Sequence, residues 1–167
     1  MPALAVAQAI KACAPDTPIH YVGGNNSMEE ELVREQGLPF HGLNVHPFFG
    51  KPAATRIKAL CAIPPALWRA ASIMKTVGAA ASMAFGGYVS AAVGMVSPML
   101  GIPLVLQEQN SIPGRTNRLL SKRASLICLG FPNAESYFET REMIVTGNPV
   151  RTEIENTGLD VSPEFSP

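Results

Sequence analysis

The chain has 167 residues, 47% of them hydrophobic, and its 13 basic side chains cancel its 13 acidic ones. That length suits one domain with a substantial core rather than two, and a cancelled charge provides no global field to draw the chain to nucleic acid. Cys13, Cys61 and Cys128 are odd in number and far apart, which argues for thiols in a reducing compartment and against a disulfide scaffold or a zinc site.

In chain order, residues 2–13 read as a helix with Leu4, Ala7, Ala9 and Ile10 on its buried side. Met1-Pro2-Ala3-Leu4 has neither a basic region nor a cleavage pattern, so no signal peptide is expected. Residues 18–22 form a strand ending in Gly23-Gly24. Ser27, with Glu30 three residues on, fits a capping box opening a helix to Gln36, which Gly37 stops. Residues 39–45 read as a second strand and 55–75 as a helix broken at Pro64-Pro65, since an interior proline removes a backbone donor. A strand over 79–84, a helix from Ser90 and a strand over 102–106 follow. A short helix over 116–122 and strands over 125–129 and 143–145 complete the pattern. Strands alternating with helices predict an α/β fold, a Rossmann-like parallel sheet with helices on both faces.

The uncharged run 76–107 is long enough to cross a bilayer. Gly86-Gly87, Gly94, Pro98, Gly101 and Pro103 nevertheless divide it into strand, turn, helix, turn and strand. Parallel strands covered on both faces are continuous apolar runs without any membrane. Charge is unevenly spread. Between Gln36 and Gln107 there is no acid, while Lys51, Arg56, Lys58, Arg69 and Lys75 lie inside that span beside Leu60, Ile63, Leu67 and Trp68. Such a basic, apolar stretch suits docking on an anionic membrane surface, and equally suits a core-facing helix with a solvated basic side.

All strand C-termini of a parallel sheet lie on one edge, where ligands bind. Polar loops follow the strands at 79–84, 102–106 and 143–145. The first is Gly86-Gly87-Tyr88-Val89-Ser90, whose glycines bring bare backbone and the N-terminus of a helix near a ligand, as a diphosphate requires. Read structurally, it is a tight turn with Ser90 as helix cap. The second is Gln107-Glu108-Gln109-Asn110, whose amides match sugar hydroxyls and whose Glu108 can accept from a hydroxyl or orient a cation. Bracing of the loop is the other reading. Arg115, Arg118 and Lys122 at helical spacing share a face fit for phosphate. The third loop, Gly147-Asn148-Pro149-Val150-Arg151, places Arg151 where the chain leaves the last strand.

Pro2-Ala3-Leu4-Ala5-Val6-Ala7, Gly86-Gly87-Tyr88-Val89-Ser90, Glu108-Gln109-Asn110, Pro113-Gly114-Arg115-Thr116-Asn117-Arg118-Leu119-Leu120 and Gly147-Asn148-Pro149-Val150-Arg151 together resemble the N-terminal half of the MurG family. These are peptidoglycan N-acetylglucosaminyltransferases. The resemblance covers nearly the whole chain, with departures at Ala91-Ala92, where the family has Gly-Pro, and at Gln107, where a histidine is common. It implies the N-terminal half of a GT-B glycosyltransferase. Residues 1–150 would be an acceptor-side domain without the family's first strand and histidine-bearing glycine loop, and 151–167 a linker toward a donor domain.

The implied reaction is a metal-independent, inverting transfer of N-acetylglucosamine from UDP-N-acetylglucosamine to undecaprenyl-diphosphate-linked muramoyl-pentapeptide, with no cofactor. Its place would be the cytoplasmic face of the bacterial membrane, as a peripheral protein. By position, Gly86, Gly87, Tyr88 and Ser90 would lie at the acceptor diphosphate, Asn110 and Arg151 on the donor side, and Glu108 and Gln109 in the same substrate site. Nothing matches the histidine loop, so no catalytic base is named and the isolated chain is expected to be inactive. Two other classes stay open: another GT-B sugar-nucleotide enzyme, and a non-catalytic module binding a lipid diphosphate or a membrane.

Overall fold

A computed structural model describes residues 2–25, 27–45, 53–139 and 142–150, with backbone alone over 53–59. The chain divides into two compact units, Met1–Thr17 with Pro149–Pro167, and Pro18–Asn148. In the first, helix α1 (Pro2–Cys13) buries Leu4, Ala5 and Ala7, and Lys11 reaches past its end to donate to the Pro15 carbonyl at 2.8 Å. Ala9 and Ile10, expected on the buried side, are exposed. Nearly every position of this helix is apolar, so the sequence offers no contrast from which to choose a face.

The second unit runs β1 (Tyr21–Gly24), α2 (Met28–Glu35), β2 (Phe40–Leu43), α3 (Ala53–Thr76), β3 (Ser82–Ala84), α4 (Gly87–Met99), β4 (Leu104–Glu108), α5 (Arg115–Leu120), β5 (Leu126–Leu129) and β6 (Met143–Val145). Single 3₁₀ segments at Ser121–Arg123 and Pro132–Tyr137 flank β5. Every pairing is parallel: β1 with β2, and β3-β4-β5-β6 in sequence order. This is the α/β, Rossmann-like arrangement expected, in two sheets. Leu104, Leu106, Ile127 and Leu129 of the inner strands β4 and β5 are fully buried, as strands covered on both faces must be. A second core joins Leu43 of β2 to Ala66, Ala70, Ile73 and Met74 of α3 and Ala92, Val93 and Val96 of α4. Small residues at this seam let the helices approach closely. α4 also meets α5, at Gly94, where a Cβ would lie 2.5 Å from Leu120 Cδ1.

Several boundaries differ from expectation, each for a local reason. The helix α3 runs unbroken through Pro64 and Pro65. Leu60 and Cys61, whose carbonyls lose their donors, are exposed, so water can serve them. Ser27 sits at the N-cap of α2 but makes no side-chain cap bond. The carboxylate of Glu30 is held instead by Arg34, one turn on, at 3.0 and 3.2 Å. The strand over 79–84 begins only at Ser82, and that over 102–106 at Leu104. Ala79 and Ile102 are consumed by the closing bonds of the preceding helices, donating to Met74 and Ser97 carbonyls across Gly78 and Gly101 at positive φ.

His20, just before β1, lies against His41 of β2, with Nδ1 to Nε2 at 3.1 Å. Partial burial first, then the neighbouring His20 and Arg69, hold His41 below the usual imidazole range. The folded chain therefore favours neutral His41, and the unfolded chain takes up the proton at higher pH. Stability contributed by this site is lost as pH falls through about 6.5. The melting temperature should drop between about pH 7.5 and pH 5.5, and His41→Gln should flatten that drop in a thermal-melt series.

Candidate functional site

The site is built from two turns at the C-terminal edge of the larger sheet. β3 stops at Ala84 and α4 starts at Gly87, leaving Phe85 and Gly86 to reverse the chain. Gly86 has φ 89 and ψ 177, a region essentially closed to other residues, and Gly87 follows at φ 82. The first turn of α4 is thereby delivered directly after the strand, with N–H groups that have no carbonyl one turn back. Ser90 is not the cap expected of it. It lies inside α4, and its Oγ accepts from the Phe85 N–H at 3.2 Å, tying the turn to the helix it opens.

Gln107 and Glu108 were expected after the strand but are its last two residues, in register with Cys128 and Leu129 of β5. Both are buried. Glu108 is only 1% exposed, and its carboxylate accepts four hydrogen bonds. Oε1 takes the backbone N–H and the Nδ2 of Asn110, both at 2.9 Å. Oε2 takes the Gly114 N–H at 3.1 Å and the Nδ2 of Asn117 at 2.9 Å. Asn117 also donates to the Gln107 carbonyl at 3.1 Å. Gln107 in turn donates to the Gly147 carbonyl, and Asn148 to that of Gln109, which ties the loop after β6 to the loop after β4. Gly130 makes room for this, since a Cβ there would meet the Asn148 side chain at 2.1 Å.

Between the two turns lies a crevice of about 380 Å³. Gly86, Gly87, Tyr88, Glu108, Gln109 and Asn110 all line it, so six of the expected site residues converge. Ser90 supports it from within α4, and Arg151 lies outside the described residues. Arg115 lines the same crevice, whereas Arg118 and Lys122 line a separate one with Tyr137. The shared face expected for these three is not formed. Arg118 and Lys122 stay together across the start of the 3₁₀ segment at Ser121, and it is Arg115, the first residue of α5, that lines the other crevice. Asn117 was missed by sequence reasoning. Its signal was an asparagine inside a helix, where that side chain is disfavoured unless it bonds elsewhere.

The two glycines at the ends of this crevice should respond oppositely. Gly86→Ala forces a side chain into a glycine-only conformation and should destabilise by about 1–3 kcal/mol. Gly114 has φ −65, and nothing lies within 4 Å of where a Cβ would stand, so Gly114→Ala should be neutral or slightly stabilising. Urea unfolding of both variants checks this, and equal effects would mean that the turn at Gly86 relaxes.

Known proteins resemble this chain in sequence and in fold. A UDP-N-acetylglucosamine--N-acetylmuramyl-(pentapeptide) pyrophosphoryl-undecaprenol N-acetylglucosamine transferase of Pseudomonas fluorescens is 38% identical over 136 residues, 81% of this chain and 38% of that protein. The enzyme of the same name from Phocaeicola vulgatus is 37% identical over 155 residues, 93% of this chain and 41% of its own length. The crystal structure of Acinetobacter baumannii MurG superimposes with a TM-score of 0.70 at 30% identity, over 92% of this chain and 42% of that one. The chain thus spans about two fifths of the length of these relatives. Residues 1–128 match the model of the glycosyltransferase family 28 N-terminal domain, and the chain belongs to that family.

Proposed function

We propose that residues 1–150 form the acceptor-side domain of an N-acetylglucosaminyltransferase of peptidoglycan synthesis, with 151–167 as a linker. The full reaction takes N-acetylglucosamine from UDP-N-acetylglucosamine. An acceptor sugar hydroxyl, on a muramoyl-pentapeptide carried by undecaprenyl diphosphate, attacks the anomeric carbon while the bond to the donor diphosphate breaks. The observation that carries this reading is the crevice after β3 and β4, where a glycine turn opens a 13-residue helix beside a polar loop. A helix N-terminus favours a diphosphate, and amides favour sugar hydroxyls. In this reading Gly86, Gly87, Tyr88 and Ser90 hold or support the acceptor diphosphate. Asn110 and Arg151 serve the donor side, and Glu108 and Gln109 order the loop between.

A lipid-linked acceptor stays in the bilayer, so the enzyme must come to it, at the cytoplasmic face. Among the described residues no helix is long and apolar enough to cross a membrane. On α3, Trp68 is 72% exposed, and exposed Leu60, Ile63, Arg69 and Lys75 lie on the same helix. Aromatic and aliphatic side chains beside cations suit peripheral docking on anionic lipid. Retention of the lipid diphosphate without transfer is the second reading, and the same crevice and helix support it.

Vesicle co-sedimentation tests both parts. Binding to phosphatidylglycerol vesicles should weaken with salt, and the Trp68→Ala, Arg69→Ala double variant should reduce it by fivefold or more, from about 1 kcal/mol per cation near the surface plus lost apolar burial. Adding undecaprenyl diphosphate to the vesicles should raise binding, and Gly86→Ala should remove that gain while leaving the lipid-only binding intact. Binding that is indifferent to the lipid diphosphate would overturn the role given to the glycine turn.

A further inference from the structure

Away from the crevice, two imidazoles meet on one face of the smaller sheet. Tyr21 stands opposite Phe40 in the parallel register of β1 and β2, so His20 and His41 fall together on the other face. The aromatic side pins that register. Tyr21 and Phe40 stack there with ring centroids 6.0 Å apart, and Gly23 leaves room for the Phe40 ring, which a Cβ would meet at 2.5 Å. A slip of one residue would put the two histidines on opposite faces.

His20 Nδ1 and His41 Nε2 are 3.1 Å apart, with their ring planes inclined at 37°. Neutral imidazoles at that distance can share one proton or one metal ion. Two ligand nitrogens, each about 2.0–2.1 Å from a metal and at angles between square and tetrahedral, stand about 2.9–3.4 Å apart. The observed spacing lies inside that range. Ligation needs a neutral ring, and partial burial, then the neighbouring His20 and Arg69 of α3, favour that form of His41. His20 is exposed, so a cation reaches the pair from solvent. Among the described residues no third histidine, cysteine or carboxylate completes a cluster, which leaves the remaining coordination positions to water.

We propose that His20 and His41 form a two-imidazole site for a divalent first-row transition cation, Cu(II) above Ni(II) and Zn(II), which cross-links β1 to β2. Among the described residues these strands pair only with each other, so a bridge between them adds a constraint that the larger sheet does not supply. No residue lining the crevice takes part, and the site is independent of the glycosyltransferase reading.

The test titrates the 167-residue chain, ¹⁵N-labelled, with Cu(II), Ni(II) and Zn(II) salts in separate runs. Cys13 and Cys61 are exposed and are alkylated first, which removes them as competing ligands. Calorimetry should show one saturable site, tightest for Cu(II), that fades as pH falls below about 6.5 because protons compete for both rings. At one equivalent, paramagnetic Cu(II) should broaden the signals of His20, Tyr21, His41 and Gly42 and spare those of Gly86 and Gly87. Zn(II) should raise the melting temperature, since it binds the folded pair and not the separated histidines. His20→Gln, at an exposed position, should keep the dispersed spectrum and lose the binding, the broadening and the thermal shift together. Undiminished binding in that variant, or broadening centred elsewhere, would overturn the site. Binding at His20 and His41 without any rise in melting temperature would overturn the cross-link.

Discussion

Burying the Glu108 carboxylate at the end of β4 is unfavourable unless protein donors replace the water it gives up. Four do, and they come from three places in the following ten residues: Asn110, Gly114 and Asn117. The loop between β4 and α5 therefore has its shape dictated from one point. The carboxylate is the buried partner, so each broken bond would leave one of its oxygens short of a donor in the interior. The polar loop is in this sense a rigid element, although it has no regular secondary structure. The strand below supplies the remaining constraint, since β4 is paired on both sides and cannot slip to accommodate a different carboxylate position.

The same logic explains how far the sequence could be read. Apolar runs bounded by glycine and proline located the six strands found among the described residues, and the parallel α/β class followed from their alternation with helices. The ends of those strands were another matter. Ile102 looks like the first residue of a strand by composition, but its N–H closes α4 by bonding to Ser97. Backbone hydrogen bonds at helix ends took precedence over side-chain hydrophobicity, and β4 moved two residues along. That shift carried Gln107 and Glu108 from the loop into the buried strand.

For the site, residue type and spacing identified Gly86, Gly87, Tyr88, Glu108, Gln109 and Asn110, which do gather in one crevice. What spacing could not convey was the division of labour among them. A glutamate that binds substrate and a glutamate that holds a loop look identical in sequence, and only burial and partner geometry separate them. Asn117 was hidden for a related reason. It sits among Arg115, Arg118 and Lys122, whose charges dominate any reading of that stretch, yet its buried amide holds Glu108. Arg118 instead approaches the Tyr137 ring, 5.8 Å from its centroid, on a different surface.

The close contact of Gly94 with Leu120 has a consequence for how this domain can drift in sequence. α4 carries the glycine turn at its start and α5 carries Asn117, so the spacing of these two helices sets the distance between the crevice walls. With 2.5 Å between a prospective Cβ at position 94 and Leu120 Cδ1, a side chain added at 94 requires the residue at 120 to shift or to shrink. A change at 94 is thus coupled to how the residue at 120 packs. In a set of descendants of this chain they would form a correlated pair, although neither touches a ligand and neither bears a polar group. A shape requirement deep in the helix seam would then leave its trace in inheritance as strongly as any residue that meets a substrate.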